Sequence, residues 1–264
     1  MIVPHFAATA RIVGDGATAR RSNNPLVDAT IERCVRDFGI NPHVRVAVES
    51  NIPRSVGLAG SSAIVIAVIQ AIGERCGLEL SPMEVAAIAH GVEREDLAIA
   101  GGWQDQIVQS HGATGLMEFA GPISHRRLEV PHEPAIPVFI SWRAQDSESS
   151  GLSHAGLQAR RQTSLVRGVM EELAQCGRAA ADAIEARDVH LLKEAIGQSF
   201  ALRCRVMDVL PQHQLAVERA NAHGAVANFA GSGGAVTGVM PKDEEGFLAG
   251  MRADGYDVVS LSLE

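Results

Sequence analysis

The chain has 264 residues, 46% apolar and 20% charged, enough for one large or two small globular domains with a buried core. Its net charge of -8 argues against a general nucleic-acid binder, which needs a basic surplus. No apolar run is long enough to span a membrane, and the opening "MIVPHFAATA" lacks the basic and apolar regions of a secretory signal, so a cytoplasmic protein is expected.

In chain order, "HFAATARIVG" predicts a strand ending at a turn near Gly14 and Gly16. Leu26, Ile31, Cys34, Val35 and Phe38 have helical spacing, and Gly39 supplies a stop. Val44, Val46 and Val48 alternate as in a half-buried strand. A loop of small residues follows, then an apolar helix from about Ser61 to Cys76. Ser81, Pro82 and Glu84 form a helix-start signature, and that helix is expected to reach about Glu95. A further helix covers "WQDQIVQSHG", with "TGLMEF", "SHRRLEV" and "IPVFISW" as strands. From Gly151 to about His223 the pattern is helical, with breaks expected near Gly177, Asp188 and Pro211. "AVANFAGSGGAVTGVM" predicts two strands joined by a glycine-rich turn, followed by a helix at "DEEGFLAGMRADG" and a closing strand at "YDVVSLSL". Strands and helices mix without strict alternation, which favours an α+β fold, with a boundary near residue 121.

Three stretches carry possible chemistry. "GLAGSSA" (57–63) sets residues with almost no side chain ahead of the apolar helix. The first amides of a helix lack partners and its dipole is positive there, so such a stretch suits a phosphate; taken alone, a capped helix start with a tight turn is the commoner explanation. It is neither a Walker A loop nor a dinucleotide fingerprint, since the lysine and the glycine spacing are missing. Glu93 and Asp105 are twelve residues apart, and a turn between their helices would bring both carboxylates to one cleft. Read alone, "QDQ" is a solvated helix surface. "NFAGSGGAVTG" is a plain hairpin turn or the wall of a pocket. The four cysteines lack metal-finger or redox spacing, and the scattered histidines, His132 and the His90/Glu93 pair included, argue no metal site of their own.

In this order the three stretches resemble the GHMP kinase superfamily: "PRSVGLAGSSA" is similar to its second motif, "FAGSGGA" to its third, and Glu93 with "GGWQD" to the carboxylates between. The wording at "NIPRSVGLAGSSAI", "AGGWQDQIVQSHG" and "NFAGSGGAV" is most like the glucuronokinase subgroup, with a weaker match at "DSESSGLSHAGLQARRQ". The resemblance runs from about residue 25 onward. It implies a two-domain α+β fold with a ribosomal-protein-S5-like N-terminal domain (1–121) and a ferredoxin-like C-terminal domain (122–264). It also implies magnesium- and ATP-dependent phosphoryl transfer to a hydroxyl of a sugar or uronic acid. Gly57, Leu58, Ala59, Gly60, Ser61 and Ser62 would wrap the ATP phosphates, with Gly231, Ser232, Gly233 and Gly234 lining the site from the second domain. Ser62 and Glu93 would hold Mg2+, and Asp105 would be the base. Arg54 is a candidate for extra positive charge.

The family's opening motif has no counterpart before residue 25, so the N-terminus reads as shortened. A late start, a truncation and a loss of activity each account for it, and a mevalonate- or homoserine-type kinase or a non-catalytic nucleotide or sugar-phosphate binder is the alternative. A missing first strand would leave a sheet edge open, to be closed by "HFAATARI" or by a second subunit in a homodimer.

Overall fold

The computed structural model describes residues 6–15, 22–41, 43–130, 133, 135–146, 157, 159–231 and 233–263. Ser232, Gly16, His132 and most of "DSESSGLSHAGLQARRQ" lie outside the described residues. The chain divides into two compact units: one holds the residues up to Ile52 together with Ala59–Ala113, the other Pro53–Leu58 and the chain from Thr114 onward.

In the first unit, β1 (Ala8–Asp15) pairs antiparallel with β2 (Val44–Ser50), Ala8 opposite Ser50, with a register shift between Ile12 and Gly14. From Ala8 onward the "HFAATARI" segment thus lies along β2 as the expected strand. Helix α1 (Pro25–Phe38) starts where the Asn24 side chain accepts from the Leu26 amide and Pro25 fixes φ, and it ends at Gly39 in the left-handed region. Helix α2 (Gly60–Cys76) is the core element. Val65, Val68, Ile69 and Ile72 are fully buried against Val27 and Cys34 of α1, Val46 of β2 and Val85 of the next helix. Burying each of those α2 side chains contributes about 1.5–3 kcal/mol. Helix α3 (Pro82–Gly91) opens with the full capping box of Ser81 and Glu84. It stops at Gly91, short of Glu95; a π-helical turn spans Val92–Asp96. Helix α4 (Gln104–His111) closes the unit.

In the second unit, β3 (Gly115–Glu118) and β4 (Ser124–Arg127) form a hairpin. A four-stranded antiparallel sheet is built from β5 (Ile136–Trp142), β6 (Val226–Phe229), β7 (Val236–Val239) and β8 (Asp257–Leu263), in the order β6-β7-β5-β8. With helices between β5 and β6 and between β7 and β8, this is the β-α-β-β-α-β arrangement of a ferredoxin-like sheet. Helix α5 (Ser164–Ala186) runs through Gly177 without the expected break. A helical glycine costs only up to about 1 kcal/mol. The face carrying Val166, Val169 and Cys176 recovers more by packing on Leu202 and Val206 of α6 (Val189–Val206). Helix α7 (Pro211–Ala222) and α8 (Glu244–Ala253) pack Val217, Phe247 and Met251 beneath the sheet residues Phe139 and Val236. No helix among the described residues is long and apolar enough to cross a membrane.

Candidate active site

The head of α2 carries no side-chain cap. Ala59 precedes it in the left-handed region, at φ 53°, ψ 35°, and the helical Gly60 follows. A left-handed residue followed by a right-handed one turns successive amides toward one concavity, the geometry of a backbone nest for anions. Ser55 and Gly57 also have positive φ. For Ser55 and Ala59 that conformation costs about 1–2 kcal/mol each. Strain of this kind persists where a ligand uses it.

Ser62, one turn into α2, is buried, and its hydroxyl donates to Glu93 Oε2 at 2.8 Å. Glu93 is only 3% exposed. It sits in the π-helical turn, where the Leu97 amide bonds back to the Val92 carbonyl and the Ile99 amide to that of Glu93. The turn is held from outside by α1: Arg33 Nη1 donates to Glu95 Oε2 at 2.7 Å and Arg36 Nη2 to Asp96 Oδ1 at 3.1 Å. Two of the turn's acids therefore face arginines, and Glu93 faces inward.

Among the described residues Glu93 has no basic partner. A buried carboxylate held only by neutral donors carries uncompensated charge, which is costly unless a cation answers it. With the Ser62 hydroxyl beside it, the donor set is all oxygen and suits a hard divalent ion such as Mg2+.

Asp105 lies in the first turn of α4. Its side chain is exposed, yet enough protein surrounds it that desolvation, and after it the negative charge of Glu93, raises its carboxyl above the ordinary aspartate value. Trp103, immediately before α4, stacks on His90 of α3 with ring centroids 4.0 Å apart and planes at 10°, which ties the start of α4 to α3. The next residue after Asp105, Gln106, is buried, and its Nε2 donates to Glu93 Oε2 and, at 3.3 Å, to Ser62 Oγ. Gln109 Nε2 donates to the Ala59 carbonyl at 3.1 Å, so α4 also braces the turn before α2. Reading "QDQ" as solvated surface missed Gln106; its only signal was adjacency to Asp105.

The glycine residues gather in the second unit. The Ala235 amide bonds to the Val56 carbonyl at 2.6 Å. A side chain on Gly57 would overlap the Gly233 carbonyl oxygen, and one on Gly231 would come within 2.8 Å of the Gly57 carbonyl. Arg203 Nη1 donates to the Gly231 carbonyl at 3.1 Å. Arg54 is exposed. The structure thus brings Ser62 and Glu93 into direct contact in one unit, with Asp105 beside their partner Gln106. In the other it sets Gly57 against Gly231 and Gly233, and Val56 against Gly234. The chain passes from Gly57 and Leu58 directly into Ala59–Ser62.

Gly57→Ala meets both a φ of 78° and a backbone oxygen. The conformation alone costs about 1–2 kcal/mol. The expected result is a lower melting temperature together with a raised KM for nucleotide. A variant with wild-type melting and wild-type nucleotide affinity would show that the close approach is not needed.

Residues 25–113 match the family described as GHMP kinases N terminal domain. The chain is 42% identical over 88 residues to the D-glycero-alpha-D-manno-heptose 7-phosphate kinase of Campylobacter jejuni, which covers 33% of this chain and 26% of that protein. It is 28% identical over 222 residues to probable glucuronokinase 2 of Arabidopsis thaliana, covering 78% of this chain and 60% of that one. The chain therefore spans less than two thirds of the length of either relative. In fold, it superposes on the crystal structure of a D-glycero-D-manno-heptose 1-phosphate kinase from Bacteriodes thetaiotaomicron with a TM-score of 0.73 at 17% identity, over 97% of this chain and 84% of that one.

Proposed function

From the match of residues 25–113 to the GHMP kinases N terminal domain and the likeness to sugar kinases, we propose that the chain is a GHMP-type kinase that transfers the γ-phosphoryl group of ATP to a hydroxyl of a small sugar or uronic acid. The observation that carries this reading is the buried Ser62–Glu93 pair, without a basic partner among the described residues, one turn into a helix whose head has no side-chain cap.

In this reading the amides of Ala59–Ser62, with the small residues Gly57 and Leu58 before them, bind the triphosphate, and Gly231, Ser232, Gly233 and Gly234 are proposed as further nucleotide-binding residues. Ser62 and Glu93 hold Mg2+, which neutralises phosphate charge as the transfer proceeds. Asp105 accepts the acceptor's hydroxyl proton. The bond between the γ-phosphorus and its bridging oxygen breaks, the acceptor oxygen takes the phosphoryl group, and ADP leaves. Such transfer is mostly positioning and electrostatics, which a helix head, a cation and one carboxylate can supply. A reducing, cytoplasmic setting agrees with four free cysteines, Cys34 and Cys176 buried and Cys76 and Cys204 exposed.

The acceptor is proposed as a sugar rather than mevalonate or homoserine, because the match over most of the chain is to a glucuronokinase and an 88-residue match at 42% identity is to a heptose phosphate kinase, whereas the mevalonate kinase of Thermococcus sibiricus, at 46% identity, matches over only 50 residues. The anomeric hydroxyl is the proposed site of transfer. The test is ADP release with uronic acids, hexoses, heptoses, heptose phosphates, mevalonate and homoserine, with phosphorus NMR of any product. A sugar carrying a phosphate at its anomeric oxygen is expected. Turnover of mevalonate or homoserine alone would reassign the acceptor. Nucleotide binding without turnover of any acceptor would make the protein a binder.

A further inference from the structure

Gln106 is only 4% exposed and follows directly on Asp105, so α4 turns one side chain outward and the next inward. Its amide nitrogen serves both members of the Ser62–Glu93 pair. The carboxylate must accept, which fixes the amide's orientation with nitrogen toward Glu93. Oε2 of Glu93 then receives two donors, Ser62 Oγ and Gln106 Nε2, while Oε1 receives none among the described residues. The other end of the amide is left worse off: Gln106 Oε1 is buried without a partner among the described residues. Packing gives no reason to keep that arrangement, since a leucine or methionine would fill similar volume with no orphaned oxygen. What glutamine adds is a neutral donor. An arginine or lysine there would also orient Glu93 but would neutralise the charge that a cation needs.

We propose that Gln106 is a positioning residue for cation binding. Its uncharged amide locks Oε2 of Glu93 against Ser62, leaves Oε1 of Glu93 to a divalent cation, and through α4 keeps Asp105 in step with that pair. The inference rests on the kinase reading given above, and extends it to a residue outside those proposed to bind nucleotide or acceptor. Partners that orient a ligating carboxylate typically change metal affinity 10–100-fold when removed.

The test uses Gln106→Leu and Gln106→Met in the full chain. Mn2+ is titrated in the presence of a non-hydrolysable ATP analogue and followed by electron paramagnetic resonance, alongside thermal melting without metal. The expected result is Mn2+ affinity about 10–100-fold weaker with melting at or above wild type, because a buried orphan has been removed. In steady state the half-saturating Mg2+ concentration rises by a similar factor and the KM for the acceptor stays put. A merely structural role would lower the melting point instead. Mn2+ affinity within twofold of wild type in either folded variant overturns the proposal. So does loss of fold in both variants, which would show that the amide is kept for stability. The two readings fail separately. A wild-type chain that binds Mn2+ and nucleotide but phosphorylates nothing sinks the kinase. A wild-type chain that turns over, with both variants indifferent in Mn2+ binding, sinks only the role of Gln106.

Discussion

Asp105→Ala is expected to lower kcat by about 100- to 10,000-fold while leaving nucleotide affinity near that of the wild type, the range typical for loss of a general base. The separation follows from placement. Asp105 heads α4 and is exposed, whereas the amides proposed for the triphosphate belong to α2, whose preceding turn is braced by Gln109 and not by Asp105. The same carboxylate should set the acid limb of the pH profile. Its pKa is raised, first by desolvation and then by the charge of Glu93. A protonated Asp105 is too weak a base to take the hydroxyl proton. Activity therefore falls as pH drops through its pKa, and the fall begins at a higher pH than an ordinary aspartate would give. Measuring kcat and nucleotide Kd for the variant, and kcat/KM against pH for the wild type, checks both. Unchanged turnover in Asp105→Ala would remove it from the chemistry.

The residues that made this site legible in the sequence act locally. Ser81, Pro82 and Glu84 announce the start of α3 because a capping box is written within four positions. Gly39 announces the end of α1 because a left-handed cap favours glycine. The hairpin strands β6 and β7 follow from apolar alternation on either side of Gly231–Gly234. What was not legible depends on partners far along the chain. A π-helical turn and an ordinary helix share nearly the same apolar spacing. The difference at Val92–Asp96 accompanies Arg33 and Arg36, some sixty residues earlier, which take Glu95 and Asp96 outward. Gly177 reads as a break, yet the α5–α6 packing carries the helix through it. Gln106 reads as solvated until the fold sets it against Ser62 and Glu93, residues 44 and 13 positions away. The family resemblance thus marked Asp105 and Glu93, and only tertiary pairing revealed what Glu93 bonds to.

Glu93→Gln should have the opposite effects on function and on fold. Glu93 is almost wholly buried, and among the described residues its hydrogen bonds come from neutral groups, Ser62 and Gln106. A glutamine carbonyl at the same place can still accept from both, so the substitution removes a charge without orphaning a donor. Relief of an uncompensated buried charge is expected to add about 1–3 kcal/mol of stability without metal. At about 2–4 °C per kcal/mol for a domain of this size, melting should rise by several degrees. The cation loses its charged ligand at the same time, and the half-saturating Mg2+ concentration should rise at least about 100-fold. Ligand linkage gives the two effects one readout. Mg2+ with a non-hydrolysable ATP analogue stabilises the wild type by an amount that grows with concentration over Kd, and the variant should gain little over the same titration. The melting curves of the two proteins should therefore converge as Mg2+ is added, the variant starting higher and the wild type catching up. If Glu93→Gln melts lower than wild type without metal, Glu93 is a structural group whose ionised form the fold needs. If it melts higher but responds to Mg2+ as the wild type does, the cation sits elsewhere. Either outcome would detach the Ser62–Glu93 pair from phosphoryl transfer.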